Sequence, residues 1–289
     1  MSGVQSVSLA CGELTASVAL RGAELKSLQY AGTEFIWQAD PVWWPFSAPL
    51  LFPVIGRLSN GRIDHEGRPL RLPPHGFARD LPFKLLEARR DRVELCLRAT
   101  PTTLEMYPFD FELSVSYALL EKSIRQEVRD SNRGATAMPA SFGFHPGFNW
   151  PVRQSRRSAH TVCLTHSESA GAFRVDSAGR LVARDNPMGR HGSSLALDDP
   201  LFADGAIVLD PLRSTGLEYR DEDGLLLRLD WTGCRQLGLW SLPGAPFVCF
   251  EPWHGHPSPA AFSGALHEKP GNFQLQPGES KSFGLAIGV

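Results

Sequence analysis

The chain alternates. VSLACGELTASVAL (residues 7 to 20), GAELKSLQY (22 to 30), RVELCLRAT (92 to 100), FDFELSVSYALL (109 to 120), SIRQEVRDSN (123 to 132), LLLRLDW (225 to 231) and SFGLAIGV (282 to 289) set apolar against polar residues with a period of two. Successive side chains of an extended strand point to opposite faces, so this period suits half-buried strands; apolar residues of a helix recur every three or four. Turn formers separate the runs: RGAE, YAGTE, SNGR, HEGRP, SNRGA, DEDG, LPGAP and QPGES. No stretch of a dozen residues carries a helical period. The reading is an all-β chain, and strands punctuated by hairpin-type turns from end to end predict a sandwich or barrel.

The same texture runs through all 289 residues without a linker or low-complexity tract, which predicts one domain over residues 1–289. The Pro-rich segments Pro41 to Pro53 and Pro243 to Pro259 are too aromatic to be linkers, and the run Arg153 to Arg157 (RQSRR) reads as a solvated loop face. A hydrophobic share of 42% supports a substantial core, and a net charge of -2 gives no global attraction to nucleic acid or an anionic membrane. No apolar run approaches the ~20 residues that span a bilayer, and Met1 to Gly22, with Glu13 and Arg21, has no signal-peptide core. The five cysteines are scattered and include no CxxC, which argues against a disulfide framework or structural zinc. The expected compartment is the cytoplasm.

Alternation fails in four places, and loops that combine glycine, proline, aromatic and charged residues tend to be sites on a β scaffold. They are WWPFSAPLLFPVIGRLSNG (43 to 61) with Arg57, LPPHGFARD (72 to 80) with His75, ASFGFHPGFNWP (140 to 151) with His145, and PFVCFEPWHGHPSP (246 to 259) with Glu251. Each has an ordinary structural reading: a solvated strand end for Arg57, a turn histidine for His75 and His145, a turn-opening carboxylate for Glu251. Together, two histidines, a carboxylate and an arginine in aromatic loops make a sugar pocket. Aromatic faces stack on the apolar side of a pyranose while charged and imidazole groups bond its hydroxyls.

LLFPVIGRLSNGRIDHEGRPLRLPPHGFARD, FGFHPGFNWP, FVCFEPWHG and KPGNFQLQPGESKSFGLAI, with EFIWQADPVWWPFSAPLLFP upstream, resemble the shorter bacterial branch of the aldose 1-epimerase family of galactose mutarotase-like proteins. The resemblance covers nearly the whole chain in the expected order. It implies a single-domain β-supersandwich that interconverts the α and β anomers of a free aldose. With no convincing metal set in the sequence, no metal or organic cofactor is expected, and the partner expected is a small sugar, with the chain a monomer or homodimer. By the same resemblance His145 is the acid, Glu251 the base, and His75, Arg57 and Asp204 (in LFADGAIVL) bind substrate. Trp253 and Phe144, in the same motifs, are the expected aromatic contacts.

These residue types suit the reaction independently. A base takes the proton of the anomeric hydroxyl while an acid protonates the ring oxygen, so the ring opens to an aldehyde and closes again on the other face. In the forward direction Glu251 is expected to start ionised and His145 protonated, with limbs at roughly pH 4.3 and 6.5 before mutual perturbation. Three other readings stand beside this one: a sugar-phosphate mutarotase, suggested by Arg57, Arg62, Arg68, Arg71 and Arg79 on two adjacent loops; a glycoside hydrolase using Glu251 and Asp204; and a carbohydrate-binding module without turnover. His254 and His256 depart from the family pattern. One residue apart, they have the spacing to ligate a metal, but their loop context makes them expected surface histidines.

Overall fold

A computed structural model of the protein describes residues 5–58, 61–168, 172–184, 187–188 and 192–289. The alternating runs become strands. Ser6–Cys11 and Leu14–Ala19 pair as a hairpin, and Leu25–Tyr30 and Thr33–Glu34 extend it to a four-stranded antiparallel sheet. A nine-stranded antiparallel sheet follows the order Ser194–Ala196, Thr161–Leu164, Gly216–Asp221, Gly224–Thr232, Ser280–Gly288, Ser123–Asn132, Phe111–Leu120, Arg92–Arg98, Lys84–Ala88. Its long central hairpin is in register from Phe111 opposite Asn132 to Leu120 opposite Ser123. Alternate residues Ile124, Gln126 and Val128 are buried there and Arg125, Glu127 and Arg129 exposed, as the period of two requires.

The second large sheet carries the chemistry. Its order is Leu181–Arg184, Ala172–Val175, Ile207–Leu209, Gln236–Trp240, Phe247–His254, Phe142–Phe144, Leu50–Leu51, and Gly147–Asn149 also pairs with Phe247–His254. One core joins the two large sheets: Val93, Leu113, Val128 and Leu285 of the first belong to the same buried cluster as Ile207, Leu237, Phe142 and Phe250 of the second. This is the predicted sandwich. On its far face the second sheet is covered again. Phe247 and Cys249 pack with Trp37 and Trp44, and Trp253 packs with Leu51, Ile55 and Val208. Hence all eight residues of Phe247–His254 are buried, and FVCFEPWH shows no amphipathic pattern.

Three local expectations need correction. RVELCLRAT leaves the sheet at Arg98, because Thr100 caps a short α-helix, Pro101–Met106. Thr100 Oγ1 accepts from Thr103 N at 3.2 Å, Thr103 Oγ1 accepts from Thr100 N at 2.8 Å, and Pro101 stands where no amide proton is needed. Within RQSRR, Arg153 and Arg156 are exposed, but Arg157 is structural: it lies 3.4 Å from the Trp150 ring and donates to the carbonyls of Trp150 and Ala245 and to Asp199. His254 and His256 are buried, not surface, residues. His254 Nδ1 bonds Gly233 O at 3.0 Å with its ring edge-on to Phe273, and His256 Nδ1 bonds the Pro257 carbonyl at 2.7 Å, so the two rings serve different structural contacts. All five cysteines are free, and no helix among the described residues is long and apolar enough to cross a membrane.

Candidate active site

A cleft of about 910 Å³ opens on the covered face of the second large sheet. Its chemistry starts on the strand Phe247–His254. Val248 and Phe250 turn into the main core, so the alternate residues Cys249, Glu251 and Trp253 take the cleft face. Neighbouring strands make room for them with glycine. Gly238 stands opposite Glu251 and Gly143 opposite Trp253. A Cβ at Gly238 would lie 2.7 Å from the Trp253 ring, and one at Gly143 only 2.5 Å from it. The indole therefore lies flat on the sheet, walled by two positions that cannot carry a side chain without displacing it.

His145 follows the strand Phe142–Phe144 and reaches Glu251, with Nε2 3.0 Å from Oε2. Trp44 stacks on its ring at a centroid distance of 4.8 Å, and Trp240 meets it edge-on at 5.7 Å. Both members of the pair are more than nine-tenths buried. Burial disfavours charge on each: it pushes the Glu251 carboxyl well above the usual carboxylate range, and, with help from neighbouring His75 and Arg79, holds His145 well below the usual imidazole range. Burial thus favours a neutral acid beside a neutral ring. Residue types alone suggested a charged pair, because a sequence carries no measure of desolvation.

His75 stands on a sharp turn. Its φ is +66°, uncommon for a residue with a side chain, and the following Gly76 cannot carry a Cβ, which would lie 2.1 Å from Phe52 O. The turn is clamped by His75 N to Gly56 O (2.9 Å) and Phe52 N to His75 O (3.2 Å). Gly56 N also donates to His75 Nδ1 at 3.3 Å, which puts the ring proton on Nε2. Burial and the charges of Arg79 and Arg57 hold the imidazole down to about 3, so His75 is a neutral donor at working pH.

Arg57, Asp204, Trp253 and His75 all line the cleft with Glu251 and His145. Asp204 is exposed on the turn after the short helix Pro200–Phe202, and Arg174 holds that turn by donating to the carbonyls of Leu201 and Gly205. Arg57 is exposed and lies under the loop of Gly179, where an added Cβ would come within 2.5 Å of its side chain. Phe144 is the exception: it belongs to the main core, edge-on to Phe142 at 5.0 Å, because the strand alternation that presents Gly143 to Trp253 turns Phe144 inward. Trp44 and Trp240 supply the aromatic walls in its place.

A profile of the aldose 1-epimerase family matches residues 5–287. The chain belongs to the aldose 1-epimerase family. It is 32% identical over 288 residues to the chromosomal LacX protein of Lactococcus lactis, covering 95% of this chain and 96% of the relative. Among solved structures it is similar to a galactose mutarotase-like protein from Lactobacillus casei (TM-score 0.90, 25% identity, 98% of this chain and 99% of the other). A galactose mutarotase related enzyme from Lactobacillus acidophilus gives a TM-score of 0.88 at 26% identity over 98% and 96% of the two chains.

For this epimerase-family chain, motif reading missed three features of the cleft. Trp44 and Trp240 lie far from the histidine they enclose in sequence, and only the aromatic density of the two Pro-rich segments hinted at them. Arg79 was visible as one arginine among several. It lines the cleft, lies 4.6 Å from the Phe46 ring centroid and donates to the Pro74 carbonyl at 2.8 Å. Cys249 carried no signal at all. Its thiol lies with the donors of His145 and Glu251 inside a 4.8 Å span, a set able to hold a metal ion. Burial raises the thiol, so a cation there would have to displace protons from a reluctant Cys249 and Glu251.

Proposed function

We propose that this protein is an aldose 1-epimerase acting on a free aldose through Glu251 and His145. The contact that carries the reading is His145 Nε2 to Glu251 Oε2 at 3.0 Å, on the floor of an aromatic cleft. The neutral pair and the carboxylate–imidazolium pair hold the same number of protons, so moving one proton from Glu251 to His145 interconverts them. With the sugar bound and the proton on His145, Glu251 takes the anomeric hydroxyl proton and His145 protonates the ring oxygen. The C1–O5 bond breaks, leaving an open-chain aldehyde beside a neutral pair. That is the protonation state burial favours, so the site is matched to the open stage of the reaction. After rotation about C1–C2 the same protons return and the ring closes on the other face.

The neighbours have supporting roles. His75 offers an Nε2 proton to a sugar oxygen, Arg57 and Asp204 bind hydroxyls at the rim, and the indole faces of Trp44, Trp240 and Trp253 exclude water. Anomeric exchange followed by NMR on a panel of aldoses, with the blank subtracted, tests the assignment. Glu251→Gln is expected to lower kcat by about 10²- to 10⁴-fold, and Arg57→Ala to act mainly on KM. Equal kcat losses at unchanged KM would remove the division of labour, and unaltered exchange in Glu251→Gln would remove the base.

A further inference from the structure

The proposed mechanism leaves the free thiol of Cys249 unused, although the fold places it beside the catalytic pair. Cys249 and Glu251 are two residues apart on the strand Phe247–His254 and so share the cleft face. His145 sits at the bend between Phe142–Phe144 and Gly147–Asn149, both paired with that same strand, and the adjoining Pro146 O accepts from Phe250 N at 3.3 Å. One sheet thus fixes a thiol, an imidazole and a carboxyl whose ligating atoms lie within 4.8 Å of one another.

Two of these side chains have unspent bonding capacity. Among the described residues Glu251 Oε2 and His145 Nδ1 have no hydrogen-bond partner; His145 Nε2 approaches that oxygen to 3.0 Å, but at an angle that makes no hydrogen bond. Both side chains are more than nine-tenths buried, and both line the cleft. A zinc ion bound about 2.0–2.3 Å from nitrogen, oxygen and sulfur places these donors roughly 3.3–3.8 Å apart, close to the spread of this set. The cleft leaves a fourth position open to water, while Trp37, Trp44 and Phe247 pack with Cys249 and shield the thiol side. Taking protons from a buried thiol and a buried carboxyl costs free energy. A thiolate bond to a soft cation offsets that cost, whereas the oxygen-seeking Mg²⁺ gains nothing from sulfur.

We infer that a thiophilic divalent cation of the zinc class binds Cys249, His145 and Glu251 and inhibits the protein, an inhibitory metal site laid over the active site with Cys249 as its dedicated ligand. On binding, the Cys249 thiol proton and the Glu251 carboxyl proton pass to solvent, and the metal occupies the electron pairs that the acid and the base need for a sugar. The metal site stands without the epimerase reading; only the inhibition rests on it.

The test titrates tag-free, EDTA-stripped protein with Zn²⁺ and with Mg²⁺ while anomeric exchange of the fastest aldose is followed. Cd²⁺ binding is read in parallel from the ultraviolet thiolate-to-cadmium charge-transfer band. Micromolar Zn²⁺ should lower exchange by about tenfold or more, reversibly with EDTA, and Mg²⁺ at the same concentration should leave it unchanged. Cys249→Ala and Cys249→Ser, both checked by thermal melting, should keep metal-free exchange and lose the band. They should also need at least about 100-fold more Zn²⁺ for the same inhibition, since even a ligand's supporting partners are worth about 10- to 100-fold in affinity. Inhibition or a band unchanged in these variants would place the ion elsewhere and overturn the inference, as would activation by Zn²⁺ or equal inhibition by Mg²⁺. Should both variants unfold, His145→Gln, which keeps the thiol, must weaken Cd²⁺ binding to the same degree; unchanged binding overturns the site. If no aldose is turned over, the epimerase reading falls by itself and the band alone decides: a band lost with Cys249 upholds the site, and no band ends it.

Discussion

At the scale of single residues the cleft is defined by groups that resist charge. His75 is held down to about 3 and His145 well below the imidazole range, while Glu251 keeps its proton far above the carboxylate range. On the proposed mechanism the Glu251–His145 pair should therefore exchange no proton with solvent across neutrality, and kcat/KM should be flat there. Nitrogen-15 NMR of the histidine side chains measures this directly: His75 and His145, assigned through His75→Gln and His145→Gln, should keep neutral-ring shifts between pH 5.5 and 8. A ring titrating near its ordinary 6.5 would restore the independent imidazolium anticipated from residue types alone.

At the scale of elements, the strand Phe247–His254 and its two glycine-bearing neighbours form one device. Gly238→Ala forces its new methyl against the Trp253 ring and lies 3.2 Å from Glu251 Cβ. Such overpacking costs about 1–3 kcal/mol, readable as a lowered denaturation midpoint, and the displaced carboxyl should lower kcat more than it raises KM. Parent-like kcat in a folded Gly238→Ala would show that the shelf under Trp253 is dispensable. The strands themselves were legible, since Ser123–Asn132 and its partners have one wet face and announce it by alternation. Phe247–His254 was not, because a strand covered on both faces has no period to read; there the charged Glu251 inside an apolar run was the only signal. The sequence also separated loop from strand well enough to flag Arg57, His75 and His145; Glu251 stood out in a segment read as a loop, which the structure shows to be the strand Phe247–His254. It could not tell that Phe144 turns inward, that His254 and His256 are buried, or that Trp44 stacks on His145, because each depends on contacts between distant segments.

At the scale of the whole molecule, the core between the two large sheets contains one carboxyl with no evident service to the cleft. Asp130 is fully buried in the nine-stranded sheet, and burial lifts it from an ordinary 3.8 to about 8. The folded protein keeps this proton where the unfolded chain has released it. Its contribution to stability is thus complete below about pH 4 and lost progressively as pH rises through 8. Asp130→Asn, neutral at every pH, should melt several degrees above the parent at pH 8.5, with a smaller difference at pH 5. A constant difference across pH would mean that Asp130 ionises in the fold without cost.

The arrangement of the cleft has a consequence for descent. Glu251 lies within a paired strand of a sheet whose other face is the core, and His145 lies directly after one, whereas Arg57 and Asp204 stand on turns outside it. Insertions and substitutions in those outlying segments leave the reacting groups where they are. On the proposed reading, chains that share this frame can change sugar preference at the rim while keeping the chemistry of Glu251 and His145.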